Sequence, residues 1–172
     1  MSRSLTLRPG TPADLAEVEV LPGRSDPRLL AADYPPSVMV LALPVIARAR
    51  PELLASDIWW LAQEADGRIV GAGGWTRAAG PTATGDDDDG TGYVRQVVTD
   101  AACVRQGIGR ALMAQVMAQA QAAGVRRLDC LSSRTAVPFY ASLGFQERGA
   151  VEAPLRPGID FPAVRMLRGL GS

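Results

Sequence analysis

Gln106-Gly107-Ile108-Gly109-Arg110 is the stretch of this chain best equipped for chemistry. A β-branched run, Val97-Val98-Thr99, ends at Asp100, a short loop follows, and two closely spaced glycines then open a long helical pattern. N–H groups in the first turn of a helix have no internal partners, and the helix dipole favours negative charge there. Glycine lets the backbone approach a phosphate closely. Residues 106–110 therefore read as a backbone cradle for a phosphate-bearing ligand, with Arg105 and Arg110 placed to add charge-assisted contacts. The bland alternative is a capped structural helix whose arginines are solvated.

The residue types that are missing narrow the chemistry. The chain has no histidine, lysine or asparagine, so all 18 basic side chains are arginine. This removes Ser-His-Asp and Cys-His catalysis, histidine metal sites, lysine Schiff bases and the lysine of a nucleotide-hydrolase phosphate loop. A dinucleotide fold needs a small residue where Leu112 stands, and a tighter strand-to-glycine turn. Acid–base work is left to Asp, Glu, Tyr, Cys, water or the substrate. Cys103 and Cys130 have neither metal-ligand spacing nor a disulfide framework, and Cys103 reads as a small packing residue. No metal is expected.

A net charge of zero gives no indication of a nucleic-acid or anionic-membrane partner. No apolar run reaches membrane-spanning length and the N-terminus shows no signal pattern, so a cytoplasmic setting is the default. The Ala/Arg/Gly/Pro bias points to a GC-rich bacterial genome.

At 172 residues, a single domain over 1–172 is the simplest organisation. Leu5–Arg8 reads as a short strand stopped by Pro9-Gly10. Thr11-Pro12 starts a helix to about Val20. Residues 21–37, rich in Pro, Asp and Gly, read as a loop, and Val38–Leu54 as one or two helical pieces. Ile58–Glu64 and Ile69–Trp75 form a hairpin across Asp66-Gly67. Residues 78–92 are a polar loop in which Asp86–Asp89 is a solvated acidic run, and Gly92–Thr99 is the next strand. In Ile108–Ala123, the residues Ile108, Leu112, Val116 and Ala120 share one helix face. Strand Arg127–Leu131 follows, then a short helix capped by Thr135 and running through Leu143, then strands from Gly144-Phe145 and over Ala163–Leu167.

Three segments together carry a family resemblance. The 104–110 segment resembles the acyl-CoA motif of the GNAT (GCN5-related) N-acetyltransferases, Gln/Arg-x-x-Gly-x-Gly/Ala. Ala136-Val137-Pro138-Phe139-Tyr140-Ala141-Ser142-Leu143-Gly144-Phe145 is similar to their A-x-x-F-Y-x-x-x-G-F segment, and Asp66–Gly71 to their β2–β3 hairpin. Two positions depart: Val104 stands where the motif has Gln or Arg, and Ser133 where many members carry an asparagine against the pantetheine arm.

The resemblance implies an α/β GNAT fold, with a mixed, mostly antiparallel central sheet of about six to seven strands and helices on both faces. It implies acetyl-CoA as cosubstrate and direct transfer of the acetyl group to a primary amine of a small molecule or peptide, with room for a homodimer. The cofactor residues it implies are Val97, Val98 and Thr99 along the pantetheine, Arg105 to Arg110 at the pyrophosphate, and Ser133. A backbone N–H near Val97 or Val98 would polarise the thioester carbonyl, and Tyr140 would hydrogen-bond the departing thiolate. No carboxylate lies in Gly92–Thr99 to serve as base; Glu64, Asp57 and Glu152 are loose candidates, and a water chain is the alternative. Trp59, Trp60, Trp75 and Tyr34 are candidates for the acceptor pocket, with at least one tryptophan expected in the core. A non-catalytic acyl-CoA-binding module is the second reading, and a structural protein reusing the fold the third.

Overall fold

The structure, a computed structural model, describes residues 4–46, 59–77, 90–103 and 106–171. The strands are β1 (Leu5–Pro9), β2 (Trp59–Glu64), β3 (Ile69–Thr76), β4 (Thr91–Thr99), β5 (Arg127–Ser133), β6 (Gln146–Arg156) and β7 (Ile159–Gly169). The helices are α1 (Leu15–Leu30), α2 (Pro36–Ile46), α3 (Ile108–Ala122) and α4 (Val137–Ser142). Among the described residues the strands form one seven-stranded sheet in the order β1-β2-β3-β4-β5-β7-β6. Every pairing is antiparallel except β4 with β5.

That exception shapes the molecule. The β4–β5 ladder holds only Thr91↔Arg127, Gly92↔Leu128 and Tyr93↔Asp129. Beyond it β4 stays with β3 while β5 follows β7 to Ser133↔Ala163. A bulge sharpens the divergence: Ala72 faces Val98 and Gly74 faces Arg95, so β4 carries one more residue than β3 over this interval. At the last shared rung the Asp129 carboxylate accepts from Arg165 on β7, at 2.8 and 3.0 Å. The sheet therefore opens into a cleft between the second halves of β4 and β5.

Both sheet faces are covered. Leu112, Val116 and Ala120 of α3 are fully buried and Ile108 nearly so, as their spacing predicts. They lie in two clusters that hold Ala62 and Val70 on one side and Trp75, Leu128 and Met166 on the other. On the opposite face Val18 and Leu21 of α1 pack on Trp59, Leu61 and Ile69. Leu30, Tyr34 and Ala42 pack on Ala153, Phe161 and Ala163.

Helix α1 corrects the sequence reading. It is preceded by a 3-10 turn at Pro12–Asp14 and runs to Leu30, through Pro22 and Pro27. Each proline removes an internal hydrogen bond, yet complete burial of Leu21 and near-complete burial of Leu30 outweighs that local cost. The start is pinned to β1: Arg8 donates to both Asp14 oxygens at 2.9 and 2.8 Å. Asp14 also accepts from the Thr11 N–H at 2.8 Å. Arg8 above all holds the Asp14 carboxyl down at about 2.

The β6–β7 hairpin is also far longer than expected. Pro154 lies on the edge strand β6, and Pro162 lies just past the last β5 rung, so neither interrupts a central ladder. Residues 47–58 and 78–89, including part of the expected helical stretch and the Asp86–Asp89 run, lie outside the described residues.

Helix α3 sits so close to β3 that a Cβ at Gly71 would lie 2.8 Å from Leu112 Cδ1 and 2.9 Å from Ile108 Cγ2. Gly71→Ala should cost about 1–3 kcal/mol through overpacking, read as a lower urea midpoint with unchanged slope. An unchanged midpoint would show that α3 does not press on β3.

Candidate active site

The open end of the sheet holds a cleft of about 640 Å³. Three groups of expected residues meet there: Val97, Val98 and Thr99 of β4; Gly107, Ile108, Gly109 and Arg110 at the start of α3; and Ser133 and Tyr140. Gln106 is exposed at the entry to α3 and is not among the lining residues. Val104, Arg105 and Asp57 lie outside the described residues.

The α3 start is built for an anion. Gly107 is the N-cap residue with φ +78°, the left-handed region that glycine enters without strain. The N–H groups that follow it have no carbonyl of their own helix to meet. The chain leading there is anchored at Asp100, which is 1% exposed. Its N–H donates to Val70 O at 2.8 Å. Its carboxylate accepts from Ala102 N at 2.9 Å and from the Arg68 guanidinium at 2.8 Å. The β2–β3 hairpin thus holds the loop that leads into α3 through a part-buried, charge-assisted contact.

Thr135 does not cap α4. The N-cap residue is Ala136 and no side chain caps the helix; Thr135 lies inside the preceding turn, where Ser133 Oγ accepts from Ala136 N at 3.2 Å. Thr135 Oγ1 instead donates to Asp33 Oδ2 at 2.7 Å. The expected aromatic pocket is also corrected. Trp59 and Trp75 are buried in separate core clusters. Trp60 donates to Gln119 at 2.8 Å, and Tyr34 stacks on Phe161 at 4.6 Å; none of the four lines the cleft. Glu64 sits at the hairpin end of β2 opposite Leu5, and Glu152 is exposed on β6; neither lines the cleft.

Sequence reasoning missed Leu29 and Leu30, which form part of the cleft wall. They fell in the stretch read as a loop, and only the burial of Leu30 and its neighbours could have exposed the helix. Phe139, read as packing, also lines the cleft and lies against Gly109.

Tyr140 is 6% exposed. Its ring meets Phe139 and Phe145 edge-on at 5.2 and 5.4 Å, and its hydroxyl is hydrogen-bonded with the Cys130 thiol. Burial, then the Cys130 neighbour, raises the phenol well above its ordinary range. Burial likewise pushes the Cys130 thiol up to about 12. Tyr140 is therefore a neutral hydrogen-bonding group throughout the physiological range. It can donate to an anion and has no tendency to become one.

A family model described as the acetyltransferase (GNAT) domain matches residues 55–147, more than half of the 172-residue chain. The chain belongs to the GNAT acetyltransferases. Solved structures similar to it include a GCN5-related N-acetyltransferase from Rhodopseudomonas palustris, 20% identical, with 98% of each chain covered and a TM-score of 0.75. The PaiA N-acetyltransferase of Thermoplasma acidophilum, solved in complex with coenzyme A, is 14% identical over 96% of this chain and 99% of that one, with a TM-score of 0.69. The ribosomal-protein-S18-alanine N-acetyltransferase of Escherichia coli is 17% identical over 98% and 96%, with a TM-score of 0.63. At these identities the likeness establishes the GNAT fold. No curated protein sequence matches. Among the described residues of this GNAT chain, no helix is long and apolar enough to cross a membrane and no acidic, Cys or His cluster is placed to hold a metal ion.

The raised thiol sets a pH dependence. Cys130 ionises near 12 when folded and near ~8.5 when unfolded. Its contribution to stability is complete below the unfolded value and is lost as pH rises towards the folded one. Between pH 8 and 10 urea unfolding should show a loss of about 2 kcal/mol from this residue, and Cys130→Ala should lack it. A wild-type stability flat over that interval would contradict the burial assigned to the thiol.

Proposed function

We propose that the protein is an acetyl-CoA-dependent N-acetyltransferase, transferring acetyl directly to a primary amine of a small molecule or peptide. The observation that carries this is the divergence of β4 from β5 after three rungs, with the α3 N-terminus at the mouth of the opening. An edge of backbone along Val97, Val98 and Thr99 is left without a β5 partner. An extended chain of amides fits there as an additional strand fits a sheet edge.

In this reading the N–H groups of residues 106–110 hold the pyrophosphate, Arg105 and Arg110 supply charge, and Ser133 offers a short hydrogen-bonding group to the pantetheine. Bound acetyl-CoA supplies the activated acyl group. A β4 backbone N–H near Val97 or Val98 polarises its carbonyl. Tyr140 hydrogen-bonds the departing sulfur, for which its hydroxyl must turn from Cys130. A proton shared in this way contributes at the low end of the general-acid range, about 10²-fold.

One observation favours the second reading, a non-catalytic acyl-CoA-binding module: among the described residues, no carboxylate lines the cleft. Turnover separates the two. Acetyl-CoA at about a hundred times its Kd should stabilise the fold by about 2.7 kcal/mol, a rise in Tm of about 5–10 °C for a chain of this size. Arg110→Ala should weaken the effect modestly. Gly107→Val should remove it, by forcing a β-branched residue to φ +78° at about 1–2 kcal/mol of strain and placing a side chain where the ligand must approach. Stabilisation without CoA-thiol release on any amine would support the binding module; no stabilisation at millimolar ligand would contradict both.

A further inference from the structure

The transfer reading leaves one chemical need unmet. An alkylamine acceptor is protonated at neutral pH, with a pKa of ~10.4 for a lysine-like amine, and its lone pair is unavailable until a base removes a proton. The chain has no histidine, and among the described residues no Asp or Glu lines the cleft.

One carboxylate is a single hydroxyl away. Thr135 lines the cleft beside Ser133 and Tyr140, and its Oγ1 donates to Asp33 Oδ2 at 2.7 Å. With its hydrogen committed to Asp33, the Thr135 oxygen keeps lone pairs to accept an N–H from a group in the cleft. Asp33 is exposed and can pass a proton on to solvent.

The corner that presents Asp33 is firmly built. Helix α1 closes with Asp33 N and Tyr34 N both donating to Leu30 O, at 3.0 and 3.2 Å. The next side chain, Tyr34, is 3% exposed. Its hydroxyl donates to Pro162 O at 2.7 Å and accepts from Arg134 N at 2.8 Å. Tyr34 therefore ties the α1–α2 corner to β7 and to the turn that carries Thr135. The charged groups about this corner are Arg134, whose guanidinium lies 5.5 Å over the Tyr34 ring, Glu152 of β6, which acts electrostatically on Tyr34, and Arg28 in the last turn of α1. Tyr34 itself is neutral.

We propose that Asp33, acting through the Thr135 hydroxyl, accepts the proton that the amine must lose; this rests on the transfer reading above. The amine N–H bond breaks towards Thr135 Oγ1 as the threonine hydrogen passes to Asp33 Oδ2; the freed lone pair forms the C–N bond, the C–S bond then breaks, and the departing thiolate takes the second amine proton and leaves as CoA thiol. The protonated Asp33 then returns its proton to water. Thr135 is the catalytic residue that touches the acceptor, and Asp33 is the positioning and proton-accepting residue behind it.

Two amines test this, each assayed by CoA-thiol release: butylamine, protonated at neutral pH, and hydroxylamine, largely neutral there. Asp33→Asn and Thr135→Val should each lower kcat/KM for butylamine by about 10²-fold at neutral pH, with the deficit shrinking as pH rises towards the amine's own pKa. Hydroxylamine turnover should fall several-fold less than butylamine turnover, Asp33→Glu should restore part of the butylamine rate, and the double variant should be no worse than either single one. Equal losses on both amines, a loss independent of pH, or wild-type rates would overturn the relay and leave transfer standing. A wild type that binds CoA but acetylates neither amine would contradict transfer itself, and the relay with it.

Discussion

The structure depends on a ladder that stops early. A parallel pair of strands in the middle of a sheet would ordinarily run its full length, because unpaired backbone N–H and C=O groups are costly away from water. Here β4 and β5 share three rungs and part. What draws them apart is visible at the last one: β5 follows β7, with Asp129 held by Arg165, while β4 follows β3 through a bulge that inserts an extra residue. The result is a concave site whose wall is strand edge, a surface suited to a ligand that itself carries amides.

The remaining elements serve that opening. Helix α3 brings its N-terminal N–H groups to the mouth because Ile108, Leu112 and Val116 are buried under the sheet, and Gly71 lets the helix approach closely. Asp100 and Arg68 tie the incoming loop to the neighbouring hairpin. Helix α4 closes the far side, where Phe139 and Tyr140 face the cleft from above Gly109 and Cys130. Leu29 and Leu30 at the end of α1 form another part of the wall. Electrostatically the cleft is spare: Arg110 is the one arginine among its described lining residues.

Much of this was legible in the sequence where local signals and tertiary packing agree. The Asp66-Gly67 turn, the 3.6-residue spacing of α3 and the glycines at 107 and 109 each carry their own physical signature, and the structure follows them. The candidate residues Val97–Thr99 on β4, Gly107–Arg110 on α3, Ser133 on β5 and Tyr140 on α4 line one cleft, since the sequence patterns of those elements place them at its edge. Legibility failed where packing overrides local preference. Pro22 and Pro27 argue against a helix that Leu21 and Leu30 nonetheless stabilise by burial. Pro154 and Pro162 argue against strands, yet Pro154 sits at a register shift on the edge strand and Pro162 lies past the last β5 rung. Thr135 has the chemistry of a cap but sits inside the turn, and its hydroxyl finds a carboxylate about a hundred residues earlier in the chain, a pairing with |i−j| of 102. No local pattern could reveal that contact, because it follows from how α1 packs across the open sheet.

A crystal structure with acetyl-CoA bears most directly on the central claim. The account predicts pyrophosphate oxygens on the N–H groups at the start of α3 and a pantetheine arm hydrogen-bonded along Val97, Val98 and Thr99, with the thioester sulfur within reach of the Tyr140 hydroxyl. A ligand bound elsewhere, or one that leaves the β4 edge unpaired, would contradict it.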